Sequence, residues 1–265
     1  MQFSSEATAG LPGENDGVWP AKRRKILDWL MYDTRQQRFI DNILVEMCEK
    51  LREAGVPVAR ATMHFRTLHP QWLGARILWR TGMTEANIAT FSYGVENTPQ
   101  FLASPINEIF NGAKEVRQLL VGTENTRPKY QLYDDMQAEG ITDYIAWPIY
   151  HTLGKRHIFT FAADAPGGFS DEHVIFLKDL LPALTLISEI RLKNVLARTL
   201  LRTYVGPHAS EQILAGATTR GSGTTVGAAI LICDLRDFTT ISDMWPRDDV
   251  IELLNGYFDA MSEPI

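Results

Sequence analysis

The sequence predicts an α+β protein in which helices flank an antiparallel sheet, followed by a long helix and a short strand–helix segment. Apolar residues recur at three- and four-residue steps over 20–51, which is typical of amphipathic helix. Two pairs of strand-like runs are each joined by a short turn: 58–68 with 74–80, and 142–150 with 156–164. A further helical pattern begins at Ser170, a good N-cap residue, and continues to Val205.

Composition predicts a cytoplasmic globular protein. Of the 265 residues, 45% are hydrophobic and 22% are charged, and the net charge of -6 gives no reason to expect nucleic acid or an anionic membrane as partner. The two cysteines, Cys48 and Cys233, show no spacing typical of a disulfide framework or a zinc site. The first residues lack the features of a signal peptide, and no apolar run approaches the roughly 20 residues of a membrane span.

The chain divides by composition into four segments. Residues 1–19 are polar and are predicted to be a disordered leader, and 20–190 form a sensor-like domain. Residues 191–226 hold the end of the long helix and a connector with the break Gly206-Pro207, and 227–265 form the last segment. Two shorter helices are predicted within the sensor-like domain, at 104–120 and 130–140.

One passage of the sensor-like domain resembles a known family. The stretch 140–184 reads GITDYIAWPIYHTLGKRHIFTFAADAPGGFSDEHVIFLKDLLPAL and resembles the back half of a GAF domain, in which a strand pair precedes a helix opening with Phe-Ser. The resemblance implies a GAF-like sensor fold that responds to a small-molecule effector, whose identity the sequence leaves unknown. Cys48 does not stand where a bilin-binding cysteine of photoreceptor GAF domains is expected, so light sensing is not predicted.

Aromatic residues are the candidates for a sensor pocket, because small-molecule sites are mostly apolar and aromatic. The candidates are Trp72, Trp79, Phe91, Tyr93, Tyr144, Trp147 and Phe159, with Phe101 a further aromatic of the same region. Packing in the protein core is the alternative role for all of them. The 6 histidines lack metal-ligand spacing, although His64 and His157 both lie in strand-like runs. Ordinary sheet or surface histidines are their simplest interpretation.

The stretch Ile232–Ser242 places a carboxylate where an apolar run stops. Residues 226–233, VGAAILIC, read as a buried strand, and Asp234 would be costly to bury there without a partner. One interpretation is a magnesium site, since Mg²⁺ prefers carboxylate and phosphate oxygens. Another is a simple N-cap for the following turn. A haloacid-dehalogenase-type phosphatase is excluded because it needs Asp-x-Asp, whereas the next carboxylate is Asp237.

The longer run AAILICDLRDFTTIS…VIELLNGYFDAM resembles the start of the class III nucleotide cyclase domain. The resemblance implies that Asp234 binds two Mg²⁺ ions with help from the carbonyl of Leu235. It also implies that backbone amides of Asp237, Phe238 and Thr239 approach the phosphates of the substrate. The expected reaction of the complete enzyme is conversion of ATP to cyclic AMP and pyrophosphate, with adenylate favoured over guanylate only by association with similar architectures.

This sequence departs from the cyclase pattern in two ways. Asp237 stands where the family usually has glycine, and the second metal-binding aspartate, the base-selecting residues and the transition-state Asn/Arg pair of the family have no counterpart here. We therefore expect the 265-residue chain to be inactive alone. The alternative is a non-enzymatic GAF-like ligand-binding or dimerisation module with a vestigial tail.

The cyclase resemblance also implies a homodimer, because class III sites form between two catalytic domains. The long helix offers a seam for a parallel dimer along its apolar stripe: Leu180, Leu184, Ile187, Ile190, Leu196, Leu200 and Leu201. The alternative is that the helix packs back on its own sensor domain.

Overall fold

A computed structural model describes residues 18–67, 72–121, 130–219, 221, 223, 225, 227 and 229–262. The chain forms two compact units, Met1–Gly216 and Ala217–Ile265. Most of the predicted leader lies outside the described residues, and the part that is described begins a helix at Val18. Within the described ranges, no helix has the length and apolar character needed to cross a membrane.

The first unit contains six helices and six strands among its described residues, along with short π and 3-10 turns. The helices are α1 (Val18–Asp28), α2 (Ile40–Glu53), α3 (Pro99–Leu102), α4 (Pro105–Phe110), α5 (Gln131–Ala138) and α6 (Asp171–Leu214). The strands are β1 (Val58–Arg66), β2 (Gly74–Arg80), β3 (Asn87–Phe91), β4 (Val116–Leu119), β5 (Asp143–His151) and β6 (Lys155–Ala163). The second unit contributes α7 (Phe238–Met244) and α8 (Arg247–Ser262).

The strands form one sheet in the order β3-β2-β1-β6-β5-β4, and all neighbours are antiparallel. Both predicted strand pairs are confirmed, as is the α+β class. The predicted helix at 104–120 is wrong in its second half, because α4 ends at Phe110 and β4 follows. Gly112 explains the change: its φ of 119° is incompatible with a continuing right-handed helix. The short edge strand β3 was not predicted.

The first face of the sheet carries the main core. Helices α1, α2 and α6 cover it, and alternate side chains of β1, such as Met63 and Phe65, point into it together with Phe159 and Phe161 of β6. The second face carries a smaller core beneath α4 and α5, centred on Ile109, Tyr133 and Tyr144. The sheet is therefore covered on both faces, and adjacent residues of each central strand face different surroundings.

The beginning of α6 confirms the predicted helix start. The Ser170 hydroxyl accepts a hydrogen bond from the His173 N–H at 3.2 Å, and His173 Nδ1 accepts one from the Ser170 N–H at 3.2 Å. This reciprocal pair satisfies two amides that the first turn of a helix leaves free. Further along, Leu180, Leu184 and Ile187 are buried in the main core, so this part of the proposed dimer seam packs on its own domain.

Helix α6 bends sharply at Gly206. Its φ and ψ of 80° and 165° are not helical, and Pro207 follows. Arg198 and Glu211 form an ion pair across the bend. In a straight helix these residues would lie about 20 Å apart along the axis, so their contact shows that the chain folds back after Gly206. The break predicted at Gly206-Pro207 is confirmed.

The predicted buried strand at 226–233 is wrong for the residues that the structure describes. Residues 229–235 are irregular, and Ile230 and Ile232 are 87% and 88% exposed. An isolated strand leaves its backbone groups unpaired, and the described part of the second unit contains no other strand to pair with. The apolar run alone was therefore insufficient to form the strand.

Two buried histidines join the sheet to α6. The rings of His151 and His157 have centroids 4.1 Å apart, and His157 is only 1% exposed. His157 Nδ1 accepts a hydrogen bond from the Arg66 N–H at 3.1 Å, while His151 Nε2 lies 3.0 Å from the Ser188 hydroxyl on α6. Burial, with the nearby His151, lowers the pKa of His157 from its ordinary value to about 3.

The depressed pKa of His157 predicts acid sensitivity. Below a pH of about 6.5 this histidine becomes protonated in the unfolded chain but stays neutral in the folded one. The free energy of unfolding therefore falls by up to about 1.4 kcal/mol for each unit by which the pH is lowered. His157→Gln should reduce this slope between about pH 6 and pH 4, measured by urea denaturation with tryptophan fluorescence. The matched control is His208→Gln, a change at an exposed histidine of α6. If His157→Gln leaves the pH dependence of the free energy of unfolding unchanged, buried neutral His157 is not the cause of the acid sensitivity.

Candidate ligand site: a cavity on the second face of the sheet

A cavity of about 660 Å³ lies over β1 and β2 on the second face of the sheet. Its other walls come from the segment 91–110, which includes α3 and α4, and from the start of α5 at 130–135. This volume is in the range of pockets that hold small organic ligands, roughly 300 to 1,000 Å³. The cavity is partly open to solvent.

The wall opposite the sheet is mostly apolar. Phe101 and Phe110 stack with ring centroids 6.3 Å apart, and Phe91 closes the side next to β3. The remaining apolar lining consists of Leu73, Val95, Pro99, Ala103, Ile106 and Leu132. N-caps hold this irregular segment in place: the Thr98 hydroxyl begins α3, and the Ser104 hydroxyl begins α4 by accepting the Asn107 N–H at 3.1 Å.

The floor formed by the sheet is cationic. His64 of β1 pairs directly with Arg76 of β2 in the antiparallel register, and both line the cavity. Arg66, two residues after His64 on the same face, also lines it and places its guanidinium carbon 4.2 Å from the centre of the Phe110 ring. The floor therefore combines two guanidinium groups and an imidazole beneath an aromatic wall.

A second cross-strand pair, Arg60 with Arg80, extends this cationic strip along the same face. Arg80 forms an ion pair with Glu139 at 3.0 Å. Arg60 is only 8% exposed, and its Nε, like that of Arg76, is buried without a hydrogen-bond acceptor among the described residues. Burial and the neighbouring Arg80 lower the pKa of both Arg60 and Arg76.

His64 is neutral in this environment. Burial, together with the charges of Arg76 and Arg60, lowers its pKa from the ordinary value to about 3. Its Nε2 lies 2.9 Å from the Thr62 hydroxyl, which in turn lies 2.6 Å from the Thr160 hydroxyl. The positive charge on the floor therefore resides on the arginines, and His64 contributes a fixed polar ring.

Among the aromatic residues considered for the pocket, Phe91 and Phe101 line the cavity. Trp79, Trp147 and Phe159 do not, because strand alternation turns them into the main core on the first face. Tyr144 belongs to the smaller core of the second face. Trp72 and Tyr93 are 37% and 57% exposed and lie outside the lining.

The lining residues that sequence reasoning missed as pocket residues are mainly Phe110 and the arginines. Phe110 fell in the predicted helix at 104–120 and was not considered for the pocket. Charged residues at alternate positions of a predicted central strand, as in Arg60, His64 and Arg66, were the available signal for a polar face. His64 and His157 lie on neighbouring strands but on opposite faces, so they do not form one site.

The residues of the predicted magnesium site lie in the second unit. Asp234 is exposed, and Leu235 precedes a turn that leads into α7. Asp237 is the residue before α7 and has a left-handed backbone with φ 58° and ψ 21°. Asp tolerates this conformation better than most residues, and glycine adopts it at the least cost. Within the described residues, no cluster of three or more His, Cys, Asp or Glu side chains is arranged to hold a metal ion.

No protein-family model matches the chain, and no curated protein matches it. Solved GAF domains are similar to it. That of a two-component sensor histidine kinase from Bacillus halodurans is 14% identical over 58% of this chain and 92% of that domain, with a TM-score of 0.39. That of a phosphoenolpyruvate-protein phosphotransferase from Coxiella burnetii is 16% identical over 66% and 98%, with a TM-score of 0.44.

The phycoerythrobilin-bound GAF domain of a cyanobacterial phytochrome is 12% identical over 64% of this chain and 95% of that domain, with a TM-score of 0.42. These similarities concern the fold and assign neither a ligand nor an activity to this chain.

Proposed function

We propose that the first unit is a GAF-like sensor that binds a small organic effector in the cavity over β1 and β2. The observation that carries this proposal is the cavity itself: an aromatic wall faces a polar floor across a space large enough for a small ligand. An apolar space of this size with a few polar groups is typical of a small-molecule site.

Phe101→Ala tests the cavity as a ligand site. The probe is N-phenyl-1-naphthylamine, a neutral fluorescent aromatic compound, titrated against the purified chain. Loss of the Phe101 ring removes apolar contact worth about 1–2 kcal/mol, so the probe should bind roughly tenfold more weakly. The matched control is Tyr93→Ala, which removes an exposed aromatic ring outside the lining and should leave binding unchanged. Equal affinity in both variants would place the probe elsewhere and count against the proposal.

The second part of the proposal is that this sensor regulates a cytoplasmic class III nucleotide cyclase, which converts ATP to cyclic AMP with two Mg²⁺ ions. The support is the run Asp234–Thr239 together with the backbone at Asp237. The cyclase pattern has glycine at this position, and the left-handed conformation of Asp237 is the one that glycine adopts most readily. A non-enzymatic ligand-binding or dimerisation module is the alternative.

Asp234→Ala tests the cyclase proposal in the longest native form of the protein. Removing the carboxylate that would bind both ions should reduce cyclic AMP formation by roughly 10³-fold or more, since the ions activate the nucleophile and neutralise the phosphates. Asp243→Ala, at an exposed position of α7 outside the motif, is the matched control and should retain activity. Retained activity in Asp234→Ala would show that Asp234 is not the metal ligand. No cyclic AMP from the unaltered protein favours the non-enzymatic alternative.

The third part of the proposal is a homodimer formed through α6. The inward stripe of this helix is occupied by its own core, but Ile175, Leu186 and Ile190 are 56%, 58% and 52% exposed. At about 100° per residue these three positions fall within about 60° of one another around the helix. An exposed apolar stripe of this kind is typical of a helix that pairs with another helix.

Charges on the outward stripe should separate the dimer. The double variant Leu186→Glu, Ile190→Glu places two carboxylates in the proposed interface without altering the core, so light scattering at tens of micromolar should change from dimer to monomer. Leu214→Glu, which changes a residue 41% exposed near the end of α6, is the control and should remain dimeric. A monomeric unaltered protein, or a dimer in the double variant, contradicts this interface.

A further inference from the structure

We propose that the effector is an organic anion with an apolar body, held with its anionic group against Arg76 and its body against Phe91, Phe101 and Phe110. This inference rests on the proposed ligand-binding function of the cavity and adds the chemical class of the ligand. Three features support it: the arginines of the floor, the small number of carboxylates near them, and the apolar wall.

The described lining carries more positive than negative charge, since Arg66 and Arg76 are accompanied by one carboxylate. Asp135 is the carboxylate among the described lining residues, and it accepts a hydrogen bond from Gln131 at 3.2 Å. Glu139, nearby, forms an ion pair with Arg80. Arg76 lines the cavity, and Arg60 lies farther along the same face, yet each has a buried Nε–H with no acceptor. Buried donors without partners are costly, and charged ones are more so.

A bound anion would supply an acceptor to the guanidinium group of Arg76, which lines the cavity. A guanidinium group presents planar N–H donors that match a carboxylate or a similar oxyanion, and such charge-assisted hydrogen bonds are among the stronger ones in proteins. Arg66 adds a second guanidinium on the lining, already stacked on Phe110. His64 lies directly opposite Arg76 and two residues before Arg66, and its neutral ring adds no charge to this part of the floor.

The apolar wall excludes two simpler ligand classes. An inorganic anion would satisfy the arginines but would leave most of the 660 Å³ space, with its aromatic side, without contact. A neutral apolar molecule would fill the space but would supply no acceptor to the guanidinium group of Arg76, which lines the cavity. An organic anion with an aromatic or aliphatic body satisfies both surfaces at once.

A matched pair of fluorescent probes tests the charge preference. 1-Anilinonaphthalene-8-sulfonate is the sulfonated counterpart of N-phenyl-1-naphthylamine, so the two differ by one anionic group. We expect the unaltered chain to bind the sulfonate with a Kd at least about tenfold lower, although its charge is costly to remove from water. We expect the same preference in competition experiments, in which 4-phenylbutanoate should displace the probe at lower concentration than its neutral amide, 4-phenylbutanamide. This second pair tests a carboxylate in place of a sulfonate, on a different apolar group.

Arg76→Gln should reduce the preference. Loss of a hydrogen bond to a charged group weakens binding roughly ten- to a hundredfold, so the sulfonate should lose its advantage while the neutral probe changes little. Arg202→Gln, which removes the same charge at an exposed position of α6, is the matched control and should retain the preference. Retained binding of the neutral probe also shows that Arg76→Gln is folded; Arg76→Lys serves if it is not, with partial loss expected.

The outcomes separate this inference from the proposed function. If both probes bind in a Phe101-dependent manner and the anion is not preferred, the anion inference is overturned and the sensor proposal stands. An anion preference that survives in Arg76→Gln overturns the assignment to Arg76. If neither probe depends on Phe101, the cavity is not the binding site and both proposals fail.

Discussion

The alternation of side chains along β1 is the constraint on which the candidate site depends. Met63 and Phe65 must face the main core, so Thr62, His64 and Arg66 must face the other side of the sheet. The antiparallel register with β2 then places Arg76 opposite His64 and Arg80 opposite Arg60. A register shift of one residue would bury these arginines in the main core. The packing of the first face therefore determines which side chains line the cavity on the second.

The same strand connects the cavity floor with the middle of α6, at Ser188. At its end, the Arg66 N–H donates to His157, whose ring lies against His151, and His151 contacts Ser188 of α6. Thr152, the residue after β5, donates its N–H to the Glu189 carboxylate at 3.0 Å. A ligand that contacts Arg66 would therefore be linked to α6 through the contacts of His157, His151 and Ser188.

Much of the first unit followed from the sequence. Both central hairpins, the capped start of α6 at Ser170 and the break at Gly206-Pro207 were predicted because local patterns determine them. The cavity was harder to predict, because which face an aromatic residue occupies depends on strand register. Trp79 and Trp147 are aromatic residues of central strands, but register places both in the main core. The predicted strand before Asp234 was wrong because a strand requires a partner that no local pattern supplies.

The central claim is that the cavity binds an organic anion in one orientation. The most direct measurement is a crystal structure of the protein soaked with 4-(4-bromophenyl)butanoate, with anomalous diffraction recorded at the bromine edge. We expect a bromine peak between the rings of Phe91 and Phe101, with the carboxylate of the ligand within hydrogen-bond distance of the Arg76 guanidinium. A bromine peak in the cavity with the carboxylate directed to solvent, or the absence of any peak in the cavity, would contradict it.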